Sequence, residues 1–281
     1  ELSGSWRYEF DQVALDTFAD HPLLGSGAGT YRFEWTVRRD IPVVTSDAHN
    51  FYLQNLAELG LPGGLISLGL AFALIWLGVV VWRRGLGRDG PVMLAVAIAL
   101  LFSFGFDWFW RLGDTAALLM LFAAWIASAE AVDPTRRRSE AGTGFRISAA
   151  IACWFAVVVL AVPAIADRYV EASADSVRSG HIEKAIDQAN TALKFEPWNP
   201  EPHLQLGTIA ESRGQTELAL AEFERASELE PEDWWAVLLR LRVNYNAGRI
   251  ADARRDYERL KEINPVYFKQ FSFGEVRELV S

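Results

Sequence analysis

The sequence predicts an all-α protein: a transmembrane helical bundle of about four spans, preceded by a polar loop and followed by a helical-repeat solenoid. Three observations predict it. Several runs of 15 to 22 residues carry no charge. Residues 167–265 repeat with a fixed step. Elsewhere apolar side chains recur at helical spacing and not in the alternation of a strand. The implied domains are 1–60, 61–166 and 167–281.

The mean hydropathy of +0.09 hides two unlike parts, an apolar one and one rich in Glu, Arg and Ala. A net charge of -9 argues against nucleic acid as a partner, because phosphate binding needs a basic face. The one cysteine, Cys153, lies in an apolar run, which excludes an intrachain disulfide framework or a cysteine metal site. Neither metal nor cofactor is expected. Eleven tryptophans, several near the ends of apolar runs, suit a membrane interface. The chain starts at Glu1 without a signal peptide and reads as the middle of something longer, so an N-terminal part is expected to be missing.

The first predicted helix runs from about Ser5 to Ala19, with Trp6, Phe10, Val13, Ala14 and Phe18 on one face. Arg7 sits in its first turn, where the helix dipole disfavours a cation. It is either a solvated arginine or an anion ligand. Gly25, Gly27 and Gly29 then alternate in a loop that is either a tight turn or a backbone-lined anion site. A dinucleotide fingerprint is excluded, since it needs a strand before and a helix after, and Tyr31–Trp35 reads as extended or irregular. Residues 31–46 read as a mixed loop with Arg32, Arg38 and Arg39. These suit a phosphate-bearing ligand or anionic head groups alike.

Asp47-Ala48-His49-Asn50 is a compact polar tetrad before a short amphipathic helix, Phe51 to Leu59. Gly60 is placed to stop that helix, and Pro62 prevents its continuation. His49 either caps backbone amides or does chemistry at the rim of an apolar segment. The spans are 61–82, 91–108, 114–130 and 147–166. About 20 residues at about 1.5 Å rise cross a hydrocarbon core, so the third is short. The loops around Arg83–Arg88 and Arg136–Arg146 are basic, which puts both in the cytoplasm and residues 1–60 and 167–281 outside it. Asp107 and Arg111 are either an interfacial i,i+4 pair or a functional group at membrane depth.

Gly180, Gly214 and Gly248 are spaced by 34, as are Ala185, Ala219 and Ala253, and Pro197, Pro231 and Pro265. A 34-residue period with this order of small residues and prolines is the tetratricopeptide pattern. Such arrays bind partners on a concave face; a spacer or lid is the alternative. Phe268 to Val280 reads as a capping helix.

The runs His21–Tyr31, Asp47–Gln54 and Glu58–Gly64 together resemble the O-antigen ligase and polymerase family, over about residues 4–130. The resemblance implies a glycosyltransferase of the bacterial inner membrane, multi-pass, that moves a glycan from an undecaprenyl-pyrophosphate carrier to an extracytoplasmic acceptor: a lipid, another glycan or a protein. It implies inverting, metal-independent transfer in surface polysaccharide biosynthesis. His49 matches the family's loop histidine. Arg7 matches its arginine, with Phe10 where a tryptophan is expected. These two are the catalytic candidates. Arg32, Arg38, Asp47, Asn50, Gly27 and Gly29 are the substrate-binding candidates, with Asp47 or Asn50 orienting the imidazole. The family's earlier helices are absent, so this segment alone is expected to be inactive. The reading from another class is a non-catalytic, membrane-anchored scaffold whose repeats recruit a protein partner. A transporter fragment would place its ionisable groups deeper and would not need the loop glycines.

Overall fold

The computed structural model describes residues 5–83, 85, 90–107, 118, 121–122, 143–270 and 273–275. The chain forms two units, Glu1–Glu140 and Ala141–Ser281.

In the first unit, α1 (Ser5–Asp20), α2 (Tyr31–Arg38), α3 (Phe51–Arg83) and α4 (Gly90–Ser103) follow one another. The α2 segment corrects the expectation of an extended stretch and mixed loop. Tyr31 and Trp35 fall one turn apart and are fully buried, and Glu34 pairs with Arg38 at 2.7 Å across the next turn. A helix of eight residues is marginal alone, so this burial is what holds it. Phe10, Val13 and Ala14 of α1 pack with Tyr31, Trp35, Ala48 and Ala57 into one core.

Gly60 breaks α3 with φ 64° and ψ -157°, as the glycine–proline signal implied. A Cβ there would lie 2.6 Å from the Gly25 nitrogen. The two chain segments therefore touch backbone to backbone, and Leu61 N–H donates to the Pro22 carbonyl at 2.9 Å. Beyond the break α3 is apolar, with Leu65, Ile66, Phe72 and Trp76 exposed. Among the described residues, Phe51–Arg83 is the one helix long and apolar enough, by length and composition, to cross a membrane.

Helix α4 ends at Ser103, and turns occupy residues 104–106. It is thus shorter than the span expected over 91–108. Its Leu94 and Ala97 pack on Val81 of α3 together with Phe122. The span expected over 114–130 lies outside the described residues apart from Leu118, Leu121 and Phe122, and Arg111 lies outside them too.

In the second unit, α5 (Thr143–Arg178) is a 36-residue helix that carries the uncharged run Ile147–Ala166 at its start and the first repeat helix at its end. The pairs then alternate as α6 (Ile182–Phe195), α7 (Glu201–Ser212), α8 (Thr216–Leu229), α9 (Trp234–Asn246) and α10 (Ile250–Ile263). Gly180, Gly214 and Gly248 have φ of 76°, 71° and 73°, so each of the three equivalent turns needs a left-handed residue. Ala185, Ala219 and Ala253 are fully buried where paired helices cross. Where a capping helix was expected over 268–280, a single turn, Pro265–Phe268 (α11), ends at its first residue and a 3₁₀ turn occupies Phe273–Glu275; residues 271–272 and 276–281 lie outside the described set.

The closest approach in the array is at Gly207, where a Cβ would lie 2.5 Å from the ring of the fully buried Phe223. Gly207→Ala is therefore expected to destabilise the second repeat by about 1–3 kcal/mol. Thermal melts followed by circular dichroism check this; an unchanged melt would mean that the ring yields freely.

Candidate active site

The site is built on one carboxylate. Glu58, on α3 just before the break, is buried. Its Oε2 accepts from Gly29 N–H at 3.0 Å, and its Oε1 accepts from Tyr31 N–H at 3.2 Å and from the Gln54 amide at 3.1 Å. Gly27 N–H donates to the Glu58 carbonyl at 2.9 Å, and Ser26 N–H to the Ala57 carbonyl at 3.0 Å. Gly27 and Gly29 have φ of 119° and 78°. The Glu58 carboxylate is thus held by the amides of Gly29 and Tyr31, while Gly27 N–H bonds to the Glu58 backbone carbonyl. The same carboxylate lies at the N-terminus of α2, where the helix dipole favours negative charge.

That closure places Trp35 beneath the site. Its indole N–H donates to the Val43 carbonyl at 2.9 Å, and its ring meets Phe10 edge-on at 4.7 Å. The other neighbour of Phe10 is the His49 imidazole, stacked at 5.0 Å and 22°. His49 has φ +54°, the one non-glycine residue with positive φ among those described. Such backbone persists only where the surroundings enforce it, and it concentrates at functional sites.

Asp47 supplies the enforcement. Its Oδ1 accepts from His49 N–H at 3.2 Å and lies 3.1 Å from the imidazole Nδ1. The Asp47 carbonyl lies 3.2 Å from the same nitrogen. Both partners are acceptors, so Nδ1 carries the hydrogen and Nε2 of the neutral ring presents its lone pair. The imidazole is partly exposed, so a reactant can reach that nitrogen.

Asn50 is the N-cap of α3. Its Oδ1 accepts from Leu53 N–H at 3.2 Å, and its amide donates to Asp11 at 3.2 Å. Asp11, which sequence reasoning passed over, has its carboxyl pKa raised by burial, against lowering by the Asn50 hydrogen bond and by Arg7. Its spacing of four from Arg7 was the available signal. Arg7 is half exposed and faces Asp107 at 3.6 Å; the expected Asp107–Arg111 pair lies outside the described residues. Tyr31 donates its hydroxyl to the Phe10 carbonyl at 2.9 Å, and burial raises its pKa.

The three loop arginines differ. Arg38 is held by Glu34 at 2.7 Å and Asp20 at 2.8 Å. Arg39 is buried and donates to the Val43 carbonyl. Arg32 is exposed, with its guanidinium 4.5 Å over the Phe33 ring. His49, Asp47, Asn50 and Arg7 thus lie along one edge of α1, whereas Gly27, Gly29 and Arg38 have intramolecular partners. Among the described residues no group of His, Cys, Asp and Glu could hold a metal ion.

Glu58→Ala strands two amides and is expected to cost about 2–3 kcal/mol, and Glu58→Gln less, because it keeps an acceptor. Hydrogen exchange at the Gly29 and Tyr31 amides should rise more in Glu58→Ala than in Glu58→Gln, and equal protection in both variants would contradict this pairing.

Asp11 gives a pH signature. Its folded pKa lies above the ordinary 3.8. The stability tied to its proton is present below the unfolded pKa and is lost as pH rises through the folded one. Asp11→Asn should therefore flatten unfolding stability against pH across that interval; an unaltered slope would mean that burial does not act on this group.

Residues 1–68 match the family model described as O-antigen ligase. No curated protein matches the chain. Among solved structures, the first TPR of Spaghetti (RPAP3) bound to the HSP90 peptide SRMEEVD is 21% identical with a TM-score of 0.37, covering 41% of this chain and 90% of that one. Residues 1–68 are thus similar to the O-antigen ligase family, and the chain continues beyond them into helix pairs with a 34-residue period.

Proposed function

We propose that the chain belongs to a membrane glycosyltransferase that moves a glycan from an undecaprenyl-pyrophosphate carrier to a hydroxyl acceptor outside the cytoplasm. The observation that carries this reading is the posture of His49. Its Nδ1 is tied to Asp47, its face is stacked on Phe10, its backbone is held at φ +54°, and its Nε2 is left to accept a proton. Holding a residue in so unfavourable a conformation has a use where the ring must be aimed.

In this reading the acceptor O–H gives its proton to His49 Nε2 as the oxygen attacks the anomeric carbon. A C–O bond forms from one face while the bond to the carrier diphosphate breaks on the other, so the configuration inverts. The diphosphate leaves with the bonding electron pair. Arg7, one turn before the Phe10 and Asp11 that touch His49 and Asn50, is half exposed and placed to meet that charge with its guanidinium. Asp47 positions the ring, and Asn50 fixes the start of α3. The helix broken at Gly60 sets this group at the rim of the apolar part of α3. We take α3, α4, the segment around 114–130 and the start of α5 as spans of the bacterial inner membrane, with 1–60 and the repeats outside the cytoplasm. The repeats have a protein partner in this reading. An acidic groove lined by Glu217, Glu224, Asp252 and Asp256 against Arg240 and Arg255 suits a basic segment.

His49→Ala and His49→Gly separate chemistry from structure. Both are expected to abolish glycan transfer, scored as surface polysaccharide in cells depending on this gene, at unchanged membrane content. Gly relieves a left-handed backbone that costs about 1–2 kcal/mol, so His49→Gly should be the more stable of the two. Arg7→Lys should retain part of the activity and Arg7→Ala little. Normal glycan in both His49 variants would favour the scaffold reading.

A further inference from the structure

We propose that one end of the tetratricopeptide array is a bilayer-docking edge, seated on the phospholipid interface through Trp198, Trp235 and Tyr267. This rests on the reading of Ile147–Ala166 as a membrane span.

Helix α5 fixes which end faces the lipid, because it is helical throughout, with Pro163 inside it, from the uncharged run into the first repeat. No linker lets the array turn away. Helix α6 returns antiparallel along α5. Ser173 donates to the Ala185 carbonyl at 2.8 Å, and nearer the apolar run Tyr169 stacks on Phe195 at 5.9 Å and 13°. Tyr169 is three residues past Ala166, a rise of about 4.5 Å. The end of α6 therefore comes down to the edge of the apolar run. Each later pair repeats this path. The turns after α6, α8 and α10 lie at the end near the apolar run, and the glycine turns at Gly180, Gly214 and Gly248 lie at the far end.

The two ends differ in chemistry. The near end exposes Phe195 (37%), Trp198 (63%), Trp235 (46%) and Tyr267 (45%). The far turns, 179–181, 213–215 and 247–249, contain no tryptophan, tyrosine or phenylalanine, and the exposed apolar residue beside them is the aliphatic Ile250. Each of these rings keeps a third or more of its surface outside the solenoid's own packing. Amphipathic indole and phenol rings partition to the bilayer interface, where the ring is desolvated and the N–H or O–H stays wet. Helix α5 itself exposes Ile151 and Trp154 in its apolar part, as a lipid-facing helix does. The lipid surface is the occupant continuous with that face.

The test uses the whole chain in phosphatidylcholine vesicles, with Cys153→Ser as background. Nitroxides are attached at Lys194→Cys and Glu232→Cys, beside the intact near-end tryptophans, at Gln215→Cys and Asn246→Cys on the far turns, and at Trp154→Cys in the span. Collisions with oxygen are compared with collisions with a water-soluble nickel chelate. Labels 194 and 232 are expected to favour oxygen relative to 215 and 246. Adding Trp198→Ala and Trp235→Ala should bring them down to the far-end ratio with far-ultraviolet circular dichroism unchanged. Equal ratios at both ends, with label 154 in lipid, would overturn the docking edge while leaving the span intact. Chelate access that falls only when glycan is added would overturn it in favour of a sugar platform. A water-exposed label 154 would remove the span itself, and the docking edge with it.

Discussion

The polar half of the first unit depends on a single internal anion. The Glu58 carboxylate draws in two backbone amides of residues 29 and 31, and through them a loop and a helix that have little reason to fold alone. Charge-assisted hydrogen bonds of this kind are about twice as strong as neutral ones. Here they also cap α2, whose buried Trp35 supports Phe10, which in turn supports His49. A glycine-rich loop and a catalytic candidate more than 20 residues apart are thus one mechanical object. Gly25 and Gly60 belong to it as well, because a Cβ at either would strike the backbone of the other segment.

The parts legible in the sequence were those fixed by periodicity. The 34-residue register placed three left-handed glycines and three buried alanines in equivalent positions, because each repeat solves the same packing problem with the same residues. The helix at 5–20 and the break at Gly60 followed from spacing and from glycine–proline chemistry. Helix α2 was not legible. Its eight residues are too few for local propensity to decide, and its two stabilisers, the Glu58 carboxylate and the packing of Tyr31 and Trp35, are remote in sequence. The glycine loop was read as a turn or an anion site; its Gly29 amide meets a carboxylate of the protein itself, 29 residues downstream. No local pattern reports such a pairing.

The polar residues of the site divide by what they already hold. Arg38 and Arg39 have their hydrogen bonds inside the protein, to carboxylates and a carbonyl, so using them on a ligand would break structure. Arg7 differs in kind. It is half exposed, and its contact with Asp107 is a long one of 3.6 Å. Exposed ion pairs of that geometry are worth about 0–1 kcal/mol, so in the proposed reading a diphosphate, with more charge and more acceptors, displaces the carboxylate at small cost.

His49 shows the reverse economy. Its φ of +54° is unfavourable, yet three separate contacts select it: Asp47 on the backbone amide, Asp47 again on Nδ1, and Phe10 on the ring face. Gly at this position would tolerate the left-handed region more readily and keep the amide contact, but would lose both ring contacts. Only an imidazole uses all three and still has a nitrogen left over. The strain and the surplus lone pair are the two features on which the proposed role of His49 as proton acceptor rests.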